Sequence, residues 1–142
     1  MQLPYPARPA RPRARESHAT KADPMEQPHP VRGITFDTAP IAQELRGETA
    51  YEREGHTART LVREPDLRIV LMVMKAGAVI KEHRVKETAS LCTLSGHVRL
   101  RMGDRLVDLP SGRLLMLERD LQHNVEAVDE SSVLLTLGGP ET

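Results

Sequence analysis

Residues 75–96 read KAGAVIKEHRVKETASLCTLSG. Gly77 and Gly96 bracket the stretch, and AVIKEHRV and TASLCTL inside it have the length and composition of strands. The glycines sit where the chain must bend sharply and a Cβ would obstruct the bend. Successive strand side chains point to opposite faces. Ala89, Leu91 and Thr93 therefore form the inward set of the second strand, and Cys92 faces the other way. If His83 points inward from the first strand, Val85 does too. A histidine enclosed by hydrocarbon is the feature to be explained.

The same period of two continues on both sides. ARTLVRE reads as a first strand, from residue 58, and LRIVLMVM, residues 67–74, is a near-continuous apolar run. A run of that length and kind predicts a strand buried on both faces. Downstream, HVRLRM, RLVDL, RLLMLE, QHNVEAV and SVLLTL follow at short spacing. In HVRLRM the apolar Val98, Leu100 and Met102 alternate with His97, Arg99 and Arg101, the pattern of a half-exposed strand. His97 is thus a surface residue. Gly103-Asp104 predicts a two-residue hairpin turn with glycine first. Pro110-Ser111-Gly112 and Asp129-Glu130 mark the next turns. Many short strands with regular turns imply a sandwich or a barrel.

Upstream, FDTAPIAQELRG predicts a helix. Asp37 or Thr38 can cap it, Pro40 suits its first turn, Ile41 and Leu45 share a face, and Gly47 can stop it in a left-handed conformation. His56 falls in a polar loop before the first strand. Residues 1–30 are rich in Pro, Arg and Ala and bury too little apolar surface to offset ordering, so they are expected to be a disordered tail. Their arginines read as solvated charge rather than a nucleic-acid arm or a transit peptide. Met25 is an alternative translation start. The expected organisation is a tail at 1–30, a helix and linker at 31–56, and a barrel at 57–142.

Composition narrows the function classes. The chain has 142 residues, with 20 Lys plus Arg against 20 Asp plus Glu, so no excess of positive charge marks a polyanion binder. Nucleic acid and membrane are therefore not expected partners, since no apolar run reaches membrane length either. One cysteine excludes an internal disulfide framework. With no signal-peptide pattern, a cytoplasmic location is expected. Tyr5, Phe36 and Tyr51 are the only aromatic residues, so any core beyond them is aliphatic and lacks stacking platforms.

The spacing resembles that of small single-domain cupins, compact jelly-roll barrels. Their first motif is written G-x5-H-x-H-x3,4-E-x6-G. Gly77, His83 and Gly96 match it, while Val85 stands at the second histidine and Ala89 at the glutamate. Their second motif is written G-x5-P-x-G-x2-H-x3-N. Gly112 and His123 match it, with Glu118, Asp120 and Ala127 at the proline, glycine and asparagine positions. Residues 97–111 separate the motifs, similar to the short spacing of bacterial small cupins. The resemblance implies an all-β jelly-roll barrel, preceded by a short helix, over about residues 57–137. It also implies pairing into a homodimer through barrel edges.

A complete cupin metal site resembles three imidazoles and a carboxylate around a divalent transition metal. Here His83 and His123 would be the remaining ligands, since Val85 and Ala89 cannot coordinate. Two neutral donors leave the ion's charge uncompensated in an apolar cavity. Glu87, in the turn, could fold back toward them; Glu82 should face outward. The bland alternative is two partly buried neutral histidines bonded to each other or to water. The leading expectation is a barrel that binds a small, largely apolar molecule, lined by His83, His123, Val85, Ala89, Leu91 and Val125. The alternatives are a metal-dependent dioxygenase or isomerase with a two-histidine site, and a structural or partner-binding barrel filled by its own side chains. A sugar epimerase of this architecture is disfavoured, because no tyrosine lies in the barrel region. Arg84, Arg99 and Arg101 either form a basic strip or belong to a solvated sheet face balanced by nearby carboxylates.

Overall fold

Alternation of β-branched and aliphatic residues with polar ones drives the chain from His56 onward into strands. The computed structural model describes residues 33–139, except the side chains of Glu82 and His83. The expected tail at 1–30 and the Met25 start lie outside the described residues. The chain divides into Met1–Asp37 and Thr38–Thr142. In the first unit, residues 33–37 carry no regular secondary structure.

In the second unit the described elements are helices α1 (Thr38–Arg46) and α2 (Thr49–Glu54), then strands β1 (His56–Glu64), β2 (Leu67–Met74), β3 (Val79–His83), β4 (Thr88–Ser95), β5 (His97–Met102), β6 (Arg105–Pro110), β7 (Leu114–Leu117), β8 (His123–Ala127) and β9 (Ser131–Gly138). They form a five-stranded sheet, ordered β1-β2-β9-β4-β7, and a four-stranded sheet, ordered β3-β8-β5-β6. All the pairings are antiparallel. Two antiparallel sheets closing on a shared core are a jelly roll.

The core between the sheets is aliphatic. Met74, Ala89, Leu91, Val98, Leu100, Met102, Leu109, Leu117, Val125, Ala127, Val133 and Leu137 are all buried in it. Thr93, also buried, satisfies its hydroxyl by donating to the Leu109 carbonyl at 2.8 Å. The inward set Ala89, Leu91 and Thr93 is therefore as the alternation requires.

The apolar run of β2 is buried on both faces, for two different reasons. Val70, Met72 and Met74 face the barrel core. Leu71 and Val73 join a second cluster with Ala42, Leu45 and Tyr51 of the helices. Each such side chain contributes roughly 1.5–3 kcal/mol of burial. The helices therefore cap the outer face of the larger sheet.

Several local expectations need correction. Gly47 does not take a left-handed conformation: its N–H donates to Glu44 O at 3.0 Å, and a second helix follows at once. The left-handed stop is Gly55, with φ 88° and its N–H on Tyr51 O. The helix α2, read as linker, was missed because six residues are too few to show a helical period. His56 is not in a loop; it is the first residue of β1. At Met102–Arg105 the hairpin closes through Gly103 at φ 65°, with glycine first as expected. Arg113 N–H donates to Pro110 O at 3.0 Å across the turn containing Gly112.

Candidate functional site

Strands β3 and β8 pair, and their register sets Val79 opposite Glu126, Ile80 opposite Val125, and position 83 opposite His123. Simple alternation from the inward Ile80 would bring position 82, not 83, to the inner face. A bulge between Ile80 and His83 inserts one extra residue, so that position 83 rather than 82 pairs with His123. The two motif histidines, forty positions apart in the chain, therefore share one rung of the ladder. The side-chain role expected of His83 lies outside the described residues.

His123, Val125 and Ala127 are buried in alternation with the outward Asn124 and Glu126. His123 is 5% exposed, and its Nδ1 lies 3.1 Å from the Leu121 carbonyl oxygen. A carbonyl can only accept, so Nδ1 carries the hydrogen. In the neutral ring Nε2 is then the acceptor, and this backbone bond fixes the ring's orientation. Sequence reading missed the Leu121 carbonyl, since a backbone partner leaves no mark in residue identity.

The other expected lining residues fall around the same interior. Ala89, Leu91 and Val125 are at most 3% exposed within the core cluster, and Val85 packs half-buried against it. Ile80, Leu115, Leu121, Leu135, Val70 and Met72 are likewise partly buried against that cluster. The interior near His123 is thus hydrocarbon, with one buried imidazole among the described side chains.

The loop that carries His123 has an aspartate at the glycine position of the second motif. Asp120 has φ 63°, and among the described residues it is the one non-glycine with positive φ. Aspartate tolerates the left-handed region better than most residues, because its short side chain can bond locally. Asp120 N–H donates to Val85 O at 2.8 Å and ties this loop to the end of the first motif. At the other motif boundary, a Cβ on Gly96 would strike Glu130 O and Ser131. Glycine is obligatory there for space as well as for its φ of 86°.

Among the described side chains, which do not include those of Glu82 and His83, no donor set for a divalent transition metal is seen. Among the described residues no three His, Cys, Asp or Glu side chains gather to hold an ion. Glu87 Oε2 lies 3.8 Å from Arg68 Nη2. Cys92 sits on the opposite face of β4, half-buried, with its Sγ toward Thr93 O. Val85 and Ala89 supply only hydrocarbon.

Two of the three arginines have partners among the described residues. Arg99 Nε and His97 Nε2 both lie 2.9 Å from Asp108 Oδ1. Hydrogen bonding from Arg99 and then His97 holds the Asp108 carboxyl below its usual range. Arg84, beyond the end of β3, donates to Gln122 Oε1 at 3.0 Å. No helix among the described residues is long and apolar enough to cross a membrane.

No protein-family model matches the sequence, and no curated protein matches it. Solved structures match the fold. A cupin superfamily protein from Desulfitobacterium hafniense aligns with TM-score 0.61 and 16% identity, covering 77% of this chain and 93% of that one. A conserved protein of unknown function from Streptococcus pyogenes aligns with TM-score 0.62 and 23% identity, covering 79% of this chain and 92% of that one. A salicylate 1,2-dioxygenase variant from Pseudoaminobacter salicylatoxidans aligns with TM-score 0.64 and 15% identity, covering 72% of this chain and 34% of that one. The fold is therefore that of the cupin barrels.

Proposed function

We propose that the barrel binds a small, largely apolar molecule beside His123, with His83, Val85, Ala89, Leu91 and Val125 as the lining. The observation that carries this reading is the buried imidazole of His123, held in one orientation by the Leu121 carbonyl amid hydrocarbon. Such a ring is a fixed polar group in the wall, and the aliphatic side chains supply the non-directional part of the affinity. A protein of this kind senses or carries its ligand rather than transforming it.

The rival reading is a metal-dependent dioxygenase, as the dioxygenase neighbour's description suggests, or an isomerase. Val85 and Ala89, at two of the motif's ligand positions, cannot coordinate, which favours the metal-free reading. Metal analysis of protein purified without chelator, beside the double variant His83→Ala/His123→Ala, separates the two. Binding without metal predicts no stoichiometric transition metal in either sample. A stoichiometric ion lost in the double variant would overturn the reading. A screen of small apolar carbonyl and hydroxyl compounds by thermal shift should find stabilisers whose effect His123→Ala removes.

The single cysteine suits a reducing, cytoplasmic setting for such a binder. We also propose that the protein is a homodimer paired along β7. That strand is at the edge of its sheet, and Leu114 and Met116 on it are each 63% exposed.

A further inference from the structure

Residues 33–37 read GITFD, and Ile, Thr and Phe in succession suit a strand, yet the segment carries no regular secondary structure. Ile34 and Phe36, two apart, share one face of an extended chain. They are 58% and 40% exposed. Leu114 and Met116, also two apart, share the outward face of β7 and are each 63% exposed. These are four of the eight large apolar side chains left exposed among the described residues. The single chain thus holds a strand-like apolar segment outside any sheet, and a sheet edge with no neighbour among the described strands. The segment has five residues and β7 has four, so one covers the length of the other.

Charge selects how the two fit. Laid antiparallel, with Ile34 opposite Met116 and Phe36 opposite Leu114, the register continues to Asp37 opposite Arg113. At its other end it sets Arg32, the residue before the segment, opposite Glu118. Both pairs join opposite signs, and directly opposed residues share a face of the sheet. The parallel alignment that matches the same apolar residues sets Arg32 next to Arg113 and Asp37 next to Glu118, where like charges repel. Asp37, Arg113 and Glu118 are exposed, and none is in an ion pair among the described residues.

We propose that residues 33–37 of one copy add to β7 of a second copy as an antiparallel strand, and that the exchange is reciprocal. The exchange rests on the homodimer proposed above and specifies what fills the β7 edge: a segment of the partner, not the partner's own β7. Main-chain hydrogen bonds from the segment satisfy the open edge, and the four apolar side chains cover one another. Reciprocal exchange closes the pair under two-fold symmetry and leaves no free edge at β7 for further growth.

The test is disulfide trapping in the full chain, with Cys92→Ser as the background. Ile34→Cys and Met116→Cys are made in separate chains, co-expressed, purified and oxidised. A linked pair of the two different chains is expected, and far less linkage from either variant alone. In light scattering Phe36→Asp should give a monomer mass, with unchanged circular dichroism because Phe36 lies outside the core clusters. Asp37→Arg should shift dimer towards monomer, and Arg113→Asp in the same chain should restore the dimer. A helix-capping role of Asp37 would show no such rescue. A dimer that persists in Phe36→Asp would overturn the exchange and leave the β7 dimer standing. Linkage of Leu114→Cys with Met116→Cys, in place of Ile34→Cys with Met116→Cys, would do the same, being the signature of β7 paired with itself. A monomer mass for the natural protein would overturn both.

Discussion

Asp120, at the glycine position of the second cupin motif, holds the left-handed conformation that glycine adopts most readily, and this has a measurable cost. Holding a residue other than glycine in the left-handed region costs roughly 1–2 kcal/mol, offset in part by the greater unfolded-state entropy of glycine. Asp120→Gly should therefore leave stability unchanged or raise it slightly in urea melts. Asp120→Val, with a β-branched side chain at φ 63°, should lower it by about 2 kcal/mol. A loss on Asp120→Gly as large as that on Asp120→Val would show that the aspartate side chain, not the backbone, matters at this turn. The motif position was legible in the sequence; the strain was not, because residue identity does not display φ.

At the scale of elements, the helical pair is fastened to the barrel by few side chains. Leu45 is fully buried against Leu71 and Val73, and Ala42 and Tyr51 complete the contact. Leu45→Ala should cost about 2–5 kcal/mol, the range for truncating a core leucine. A cost under about 1 kcal/mol in the same denaturant melts would mean that the helices dock weakly. Period-two alternation made the strands legible, since β5 buries Val98, Leu100 and Met102 as its pattern requires. Helix α2 was not legible, because its docking rests on one tyrosine in six residues. The bulge in β3 was equally hidden. Nothing in VIKEH marks which residue is extra, yet that residue decides whether position 83 meets His123. The motif spacing of the site was therefore readable, while the register that joins its two halves was set by pairing.

For the whole molecule, the proposed dimer would place a second copy against the exposed edge at β7. Antiparallel pairing of β7 with itself, the alternative to exchange of residues 33–37, would set Leu114 of one copy beside Met116 of the other and extend the five-stranded sheet. Light scattering should give a dimer mass for the natural protein and a monomer mass for Met116→Lys, because a charge on an edge strand opposes pairing. A dimer that survives this substitution would place the interface elsewhere. The arrangement of rings has an optical consequence. No aromatic residue lies in the barrel strands, and the chain has no tryptophan. Tyr51 is the one tyrosine among the described residues; its hydroxyl donates to Glu130 Oε2 at 3.3 Å, and Arg46 Nε approaches the same oxygen at 3.0 Å. Burial first, and then the charge of Glu130, push its ionisation above the usual range. The barrel is therefore dark in the near ultraviolet. Tyr51 emission reads the seating of α2, so a colourless ligand inside the barrel goes unseen unless it disturbs the helices, whereas an aromatic ligand would add its own band to a silent background.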